Sequence, residues 1–368
     1  MQLRIENIGP VGSAVIDLTG LTVVGGLNDT GKSTIGKSLF AIIKAIKNKG
    51  QEELAAQRAR INAITTELLS EIRGIVGSRL SPSNFSFTIA NVLDKYLISS
   101  QLGSKTVDID EAMEVLRDSI LREISRRTSL QFNGNNLSFI ETFDHASIQK
   151  IDRDILDRFI PRFKRALLTK VDNNSIYFNS ISKTLRAMFH GDVNNQRLSE
   201  HDGKISLWDN EHQLVNALFR ENNLAELSID ENINISIFED VTMLESPYVL
   251  NFRLPSVYIP GEDDSPSHSI DYSVQDLVQK LSFASKDFPI GNNAIEDEII
   301  KKINKAINGR IYFDSQNEEF IFSNDDINVK IHNTASGVKA LGIIQMLASA
   351  GYLQGGNLLI VDEPEVHL

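Results

Sequence analysis

The chain contains no cysteine among its 368 residues, and it has no long apolar run. Without cysteine it cannot form disulfide bonds, thiolate zinc sites or a cysteine nucleophile, and this composition fits the reducing cytoplasm. No apolar stretch approaches the roughly 20 residues of a membrane-spanning helix, and the N-terminal MQLRIENIGP lacks the apolar core of a signal peptide. The sequence therefore predicts a cytoplasmic protein with no membrane partner.

Excess positive charge is also absent, since the formal net charge is −12. A protein coated in nucleic acid would be basic, so this charge argues against such a protein, although it leaves room for one local basic groove. The hydrophobic fraction of 41% and the charged fraction of 23% are typical of a globular protein. The length predicts two domains, or one large domain that carries an insertion.

A glycine-rich stretch is present near the start of the chain, GGLNDTGKST at residues 25–34. Gly26, Gly31, Lys32 and Ser33 fit the pattern G-x-x-x-x-G-K-S/T. Glycines let successive backbone N–H groups curl around phosphate oxygens, the lysine reaches the β- and γ-phosphates, and the serine hydroxyl binds Mg²⁺. The alternative interpretation is an ordinary glycine-rich turn that begins a helix.

The flanking sequence is what a phosphate loop requires, a strand before it and a helix after it. The apolar run Leu21–Val24 predicts the strand. Isoleucines and a leucine at spacings of three and four, between residues 35 and 46, predict the helix. Ahead of them, LRIENIG and SAVIDL predict two strands on either side of a turn at Gly9 and Pro10.

A second motif stands at residues 357–368, where the apolar run of NLLIVDEPEVHL ends in acids. The pattern predicts a buried strand that delivers Asp362 and Glu363 to its carboxyl edge, which is where ligands bind in open α/β sheets. Asp362 would hold Mg²⁺ directly or through water, and Glu363 would act as general base on the attacking water. The alternative is that one of the two acids only caps a helix.

Between these motifs, NTASGVKAL places Ser336 and Gly337 between a predicted strand and a predicted helix. Two interpretations are open. Ser336 is well placed as the N-cap of that helix. Otherwise, this helix end faces the γ-phosphate of a nucleotide that another subunit holds.

The rest of the chain shows two kinds of pattern. Residues 50–191 have helical apolar spacing, interrupted by the turn-rich SPSNFS and NGNN. After them INISIFE, SVYIP, RIYFD, EEFIFS and NVKIHN predict strands, whereas SVQDLVQKLSFASK, NAIEDEIIKKINKAI and SGVKALGIIQMLASAGYL predict helices. We therefore expect an α/β core made of residues 1–49 and 192–368, with a helical insertion at 50–191.

In this order, the motifs resemble the ABC-type ATPase heads of the structural-maintenance-of-chromosomes, RecF and OLD class, which are P-loop NTPases. GLNDTGKST is similar to the nucleotide loop, LRIENIGPV to the first strand and turn, ASGVKAL to a degenerate signature motif, and IVDEPEVHL to the DEPExHLHP form of OLD-like prokaryotic ATPases. The resemblance covers both ends of the chain but not the insertion. It implies a two-lobed α/β head with a mixed sheet, in a class with many anti-phage defence components.

The resemblance also implies roles for individual residues. ATP would be the nucleotide, Mg²⁺ would be held by Ser33 and Asp362, and Glu363 would be catalytic. Two heads would sandwich ATP, so that a homodimer or higher homo-oligomer forms through composite sites and controls an effector such as a nuclease or toxin. The nucleotide contacts would come from Gly26, Asn28, Thr30, Gly31, Lys32, Ser33 and Thr34 of one subunit and from Ser336 and Gly337 of the other.

Three features depart from the family pattern. The signature lacks the second glycine and the acid of LSGGE. No glutamine lies in SVYIPGEDD, where the order of the motifs places the Q-loop. The sequence stops at Leu368, before the D-loop aspartate and the switch histidine, which predicts a truncated chain with little turnover of its own.

Two other functions remain open. TKVD at residues 169–172 resembles the guanine-reading N/T-K-x-D of GTPases, but no D-x-x-G lies between the phosphate loop and that point. A scaffold that binds ATP and assembles a nuclease or toxin without hydrolysis is the second alternative. Glu363 argues against it, because a protein that only binds ATP needs no second acid.

The insertion is also a candidate for binding DNA or RNA, since basic residues concentrate there. The alternative is a solvated helix face with interleaved acids, as in IDRDILDRF. Phe159 and Phe163 fit core positions better than base-stacking positions. His201 and His212, in a loop-like stretch, and His367 lack metal-ligand spacing. The basic residues concerned are Arg122, Arg126, Arg127, Arg158, Arg162, Lys164 and Arg165.

Overall fold

A computed structural model of the protein divides the chain into two compact units. The inserted unit is Gly50–Ile176, and the discontinuous unit consists of Met1–Lys49 and Tyr177–Leu368. The second boundary therefore lies ahead of the predicted position at residue 191. The cause is the helix Asn173–Met188, because its buried residues, such as Leu185, belong to the core of the discontinuous unit.

The structure describes residues 1–76, 80–101, 108–126, 131–133, 136–138, 145–198, 201–230, 233, 238–251, 271–283, 294–324 and 327–364. The predicted strand SVYIP with the expected Q-loop region, most of INISIFE, and His367 lie outside these residues. Within them, no helix is both long and apolar enough to cross a bilayer.

The structure is a mixture of strands and helices. The strands are β1 (Gln2–Ile8), β2 (Val11–Asp17), β3 (Gln131–Asn133), β4 (Asn136–Ser138), β5 (Gly203–Asp209), β6 (His212–Arg220), β7 (Asn223–Ile229), β8 (Val241–Leu244), β9 (Arg310–Asp314), β10 (Glu319–Ser323), β11 (Asn328–Lys330) and β12 (Leu358–Val361). The α-helices are α1 (Lys32–Lys47), α2 (Lys49–Val76), α3 (Pro82–Gln101), α4 (Ile109–Arg126), α5 (His145–Lys150), α6 (Asp157–Leu168), α7 (Asn173–Met188), α8 (Tyr272–Ser282), α9 (Ala294–Ile307) and α10 (Ser336–Ser349). A π-helical turn spans Ile151–Leu156, and 3-10 turns span Gln196–Leu198, Pro247–Asn251 and Ile331–Asn333.

The largest sheet belongs to the discontinuous unit and is antiparallel, in the order β2-β1-β5-β6-β7. Strand β1, between β2 and β5, alternates, so Leu3 and Ile5 are fully buried on one face while Glu6 is exposed. Strands β5 and β6 contain most of HDGKISLWDNEH, although the sequence pattern predicts a loop-like stretch there. The signal was weak because polar residues interrupt the apolar ones, among them Ser206, which is buried in β5.

A second, two-stranded sheet pairs β8 with β12 in parallel. It is the one parallel pair among the described residues, so the sheets are mostly antiparallel rather than evenly mixed. The predicted strand Leu21–Val24 is wrong, since these residues have no strand partner within the described residues. Leu21 and Val23 are largely exposed. Apolar character alone did not make a strand here, because a strand requires a neighbour for its backbone hydrogen bonds.

A third sheet, in the order β11-β10-β9, lies beside α9 and α10. Helix α10 approaches β9 closely, because a Cβ at Gly342 would lie only 2.1 Å from Ile311 Cδ1. Gln345, buried on the same helix, accepts a hydrogen bond from the Ile311 N–H at 2.9 Å. These contacts hold α10 against the sheet, and its first residues follow directly from β11 and a 3-10 turn.

The inserted unit is helical, as its apolar spacing predicts, with one short hairpin of β3 and β4 around NGNN. It has a core of its own, built from α2, α3, α4, the π-helical turn and α6. Phe159 and Phe163 are fully buried in it, which confirms their prediction as core residues. Burying side chains of this size contributes about 1.5–3 kcal/mol each.

Candidate functional site

The glycine-rich stretch forms an exposed loop that leads into α1. Gly31 has a φ of 96°, a left-handed conformation that glycine adopts without strain. A Cβ at this position would lie 2.4 Å from Val11 Cγ2, so only glycine fits where the loop passes the first hairpin. A Cβ at Gly26 would lie 3.0 Å from Thr30 Oγ1. Gly31 is therefore required for the path of the loop, whereas a side chain at Gly26 would only need the Thr30 hydroxyl to shift.

Lys32 begins α1, and its ammonium turns back over the loop. Its Nζ donates hydrogen bonds to the carbonyls of Gly26 (3.0 Å) and Leu27 (2.9 Å), and Thr30 Oγ1 donates to Leu27 at 2.8 Å. Within the described residues no acid pairs with Lys32. An ammonium has three donors, so the loop holds a positive charge whose bonds can be exchanged for stronger ones to an anion.

The start of α1 adds to this positive character. No acidic residue lies in its first turn, so nothing there opposes the positive end of the helix dipole or the unpaired N–H groups. Ser33 is half-buried and Asn28 is exposed. Thr34 differs, because it is buried and a Cβ at Gly9 would lie 3.2 Å from its Oγ1. Its side chain therefore packs on the first hairpin turn.

Helix α1 crosses the parallel pair of β8 and β12. A Cβ at Gly36 would lie 3.2 Å from Ile360 Cγ2 and 3.4 Å from Met243 Cε. Gly36 is one turn from the start of α1, and Ile360 is the penultimate residue of β12. The loop and the acids after β12 therefore lie at the same end of the parallel strands.

The two acids after β12 differ in their surroundings. The Asp362 N–H donates to the Leu244 carbonyl at 2.9 Å, which extends the ladder by one residue and leaves Asp362 half-buried. Glu363 is exposed and has a φ of 45°. A left-handed backbone costs a non-glycine residue about 1–2 kcal/mol. Within the described residues, which end at residue 364, neither carboxylate has a side-chain partner. The backbone N–H groups that a cap at this point would bind lie outside those residues, so the cap alternative stays open.

Glu245 lies at the same edge of the sheet, and the sequence motifs did not identify it as a candidate site residue. It follows β8, and the register pairs Leu244 with Val361, so Glu245 and Asp362 leave the sheet side by side. Its Oε2 lies 3.3 Å from Lys37 Nζ on α1, and its Oε1 accepts a hydrogen bond from Ser273 Oγ on α8. The available signal was VTMLE, which repeats the pattern of an apolar run that ends in an acid.

Mg²⁺ fits the donors present at this edge. The Ser33 hydroxyl and the Asp362 carboxylate are oxygen donors of the kind that Mg²⁺ prefers. No group of three or more histidines and acids among the described residues could hold a metal by itself. Mg²⁺ is commonly held by one or two protein oxygens together with nucleotide phosphates, and this donor set matches that arrangement.

Ser336 is the first residue of α10, and the N-cap is Ala335. No side-chain hydrogen bond caps this helix, so the interpretation of Ser336 as a capping residue is wrong. Ser336 is exposed, Gly337 is half-buried, and the first turn of α10 contains no acid. Within the described residues, no hydrogen bond joins Ser336 to the phosphate loop.

A short segment connects the acid edge with α10. After Glu245 the chain forms the 3-10 turn Pro247–Asn251. Lys339, buried in the first turn of α10, has its Nζ 5.4 Å from the centre of the Tyr248 ring and 3.4 Å from Asn251 Oδ1. The residue that pairs with α1 thus precedes the two residues that contact α10 by three and six positions along one segment.

Four charged residues form a closed ring behind α1. Lys44 Nζ lies 3.1 Å from Asp240 and 2.6 Å from Asp276, and Lys280 Nζ lies 2.9 Å from each aspartate. Burial disfavours the charged form of Lys44, but the two aspartates outweigh it and raise its pKa. Burial likewise opposes ionisation of Asp240, yet Lys44 and Lys280 lower its pKa. The ring joins α1, the start of β8 and α8.

The GTPase-like TKVD stretch has a structural explanation. Asp172 Oδ2 accepts hydrogen bonds from the N–H (2.9 Å) and the hydroxyl (3.0 Å) of Ser175, which lower the pKa of Asp172. Asp172 therefore acts as the N-cap of α7. Thr169 follows the end of α6, and both residues lie in the inserted unit.

Most of the basic residues considered for nucleic-acid binding are paired with acids. Arg165 has no acidic partner among the described residues. The side chains of Arg126 and Arg127 lie outside the described residues. The pairs are Arg122 with Asp118, Arg158 with Glu71, Arg162 with Glu67, and Lys164 with Asp110.

In the structure, the phosphate loop, Asp362 and Glu363 lie at one edge of the parallel strands, and Glu245 lies there with them. It leaves Ser336 and Gly337 at the start of a separate helix. Protein-family models, curated proteins and solved structures were compared with this chain, and none of them matches it.

Proposed function

We propose that this chain is an ABC-type ATPase head with the P-loop NTPase fold. It binds ATP with Mg²⁺, hydrolyses it, and through ATP-dependent dimerisation controls a partner or effector in the cytoplasm. The setting is prokaryotic defence or nucleic-acid maintenance. The observation that supports this proposal best is the passage of α1 over the carboxyl end of β12, since it brings Lys32 and Asp362 to one edge.

The residues at that edge supply the chemistry that ATP hydrolysis requires. Lys32 exchanges its bonds to loop carbonyls for bonds to the β- and γ-phosphates. Ser33 and Asp362 hold Mg²⁺, which neutralises phosphate charge when it is bound. Glu363 orients a water molecule and takes its proton, a role for which its carboxylate is exposed.

A second subunit completes the site in this proposal. The loop covers one side of the triphosphate, and the exposed start of α10 offers Ser336 and the positive end of a helix to the other side. Because the helix ends of two identical chains can serve each other, the dimer has a two-fold axis and two composite sites. An effector such as a nuclease or toxin would respond to its formation.

Titration of ATP and Mg²⁺ into the protein tests the nucleotide site. Lys32→Ala should weaken ATP binding at least tenfold, because it removes a charge-assisted contact to the phosphates. Lys47→Ala is the matched control, since it removes a lysine from the far end of the same helix. Equal affinity for ATP in the two variants would contradict the proposal. GTP in place of ATP tests the GTPase alternative.

A further inference from the structure

An open groove with a volume of about 490 Å³ lies between α2 and α6 of the inserted unit. Its lining combines apolar side chains with three arginines. Such a volume falls in the range of small-ligand sites. Its lining residues are Arg60, Ala63, Ile64, Arg162, Arg165, Ala166 and Thr169.

The two helices that form this groove are joined by a ladder of ion pairs. Arg158 contacts Glu71 at 2.5 Å, and Arg162 contacts both oxygens of Glu67, at 2.9 and 2.5 Å. The pairs repeat at one-turn spacing on both helices, and each rung joins an arginine of α6 to a glutamate of α2. Arg162 of the second pair also lines the groove.

Two further arginines line the groove, one on each helix. Arg60 stands on α2, seven residues before Glu67, and Arg165 stands on α6, three residues after Arg162. Arg60 Nη1 donates to the Thr169 carbonyl at 3.0 Å, which uses one of its five N–H donors. Within the described residues no acid contacts Arg60 or Arg165. Two like charges in the lining of one groove repel each other unless an anion lies between them.

The charge of the surroundings also favours an anion. Residues 50–176 contain 17 lysines and arginines and 17 aspartates and glutamates, so the whole net charge of −12 belongs to the discontinuous unit. An anion that the discontinuous unit repels can therefore approach the inserted unit. Guanidinium groups match phosphate geometry through paired N–H donors, and their planes stack on bases.

We propose that Arg60 and Arg165 bind a phosphate group in this groove. The groove is open rather than enclosed, and this shape suits the backbone of a single-stranded nucleic acid crossing it, in contact with Ile64 and the two alanines of the lining. A free phosphate-bearing ligand would use the same two arginines. This site does not depend on the proposed ATPase function, because it uses residues of the inserted unit alone.

Binding of a fluorescein-labelled thymidine oligonucleotide tests the site by anisotropy, in the Lys32→Ala background so that the candidate nucleotide loop does not contribute. Arg165→Ala should weaken binding about tenfold. It should also reduce, by about one, the slope of the logarithm of the binding constant against the logarithm of the salt concentration. Arg122→Ala is the matched control, because Arg122 is an exposed arginine of the same unit that lies outside the groove.

Inorganic phosphate is the second probe, measured by calorimetry with the same variants. If the protein binds phosphate but not the oligonucleotide, and Arg165→Ala abolishes the binding of phosphate, the ligand is a free phosphate-bearing molecule. This result would support the site. Binding of neither probe, or equal binding by Arg165→Ala and Arg122→Ala, would overturn the proposal.

Arg165→Glu separates binding from folding. It replaces one of the two like charges that line the groove with an acid, so the thermal unfolding midpoint should stay equal to the wild-type value or rise. Phosphate and oligonucleotide binding should nevertheless be lost. Retained binding in this variant would also overturn the proposal.

Discussion

At the scale of single residues, Glu363 combines a left-handed backbone with a carboxylate that has no side-chain partner within the described residues. We expect Glu363→Gln to keep ATP binding and to lower ATP turnover at least tenfold. The amide has the same shape as the carboxylate but cannot take a proton, and general-base catalysis commonly contributes 10²–10⁴-fold. Phosphate release measured with ATP and Mg²⁺ is the readout.

Glu318→Gln is the control for this substitution, because Glu318 is an exposed glutamate whose φ of 51° is also left-handed. It should turn over ATP at the wild-type rate. Turnover by Glu363→Gln above a tenth of the wild-type rate would show that Glu363 is not the base. ATP binding without turnover in the unsubstituted protein would instead favour the scaffold alternative.

At the scale of elements, the ring of four charges joins α1 to β8 and α8. Removal of one lysine leaves two aspartates with a single cation in a largely buried place. Lys44→Ala should therefore lower the free energy of unfolding by about 3 kcal/mol, and Lys47→Ala on the same helix should change it little. Urea unfolding followed by circular dichroism measures both variants, and equal stability would contradict the role of the ring.

The pH dependence of this difference follows from the pKa shifts. The pKa of Asp240 is lowered, so its contribution is present above its ordinary value of 3.8 and is lost as pH falls through the lower folded value. The pKa of Lys44 is raised, so its contribution is present below its ordinary value of 10.5 and is lost as pH rises through the higher folded value. The stability difference between wild type and Lys44→Ala should stay constant between these limits and shrink in acid.

Elements with a local signal were predictable from the sequence, and elements that depend on distant partners were not. The loop, α1 and the acids after β12 were identified because glycines, apolar spacing and an apolar run before acids are local features. Leu21–Val24 was misread because apolar residues form a strand only beside another strand. Strand β8 was too short for alternation to be visible, and the role of Glu245 depends on its pairing with β12. The sequence could not show that Ser336 is not the N-cap of α10, because this follows from the backbone angles of Ala335 in the folded chain.

At the scale of the whole molecule, the exposed Ser336 hydroxyl is available to a neighbouring chain. Ser336→Arg should leave ATP binding by a single chain nearly intact, because no hydrogen bond links this residue to the loop within the described residues. It should block ATP-driven pairing by filling the space meant for the γ-phosphate. Light scattering of Glu363→Gln protein with and without Ser336→Arg, in ATP and Mg²⁺, measures the dimer.

Asn333→Arg is a suitable control for this experiment, since Asn333 is exposed and lies three residues ahead of Ser336 in the 3-10 turn. It adds the same bulk and charge outside the first turn of α10. Equal amounts of dimer in the Ser336→Arg and unsubstituted backgrounds would mean that this helix end takes no part in assembly.

The pairing of β1 with β5 has a consequence for synthesis on the ribosome. Asn7 Nδ2 donates to the Asp202 carbonyl, 195 residues further on, so β1 emerges long before its second neighbour. At roughly 5–20 residues per second, this delay is about 10–40 s. The inserted unit emerges during that interval and has a core of its own. We therefore expect vectorial folding in which the insertion is complete first, while the nascent phosphate loop waits for β12, the last strand to be translated among those described.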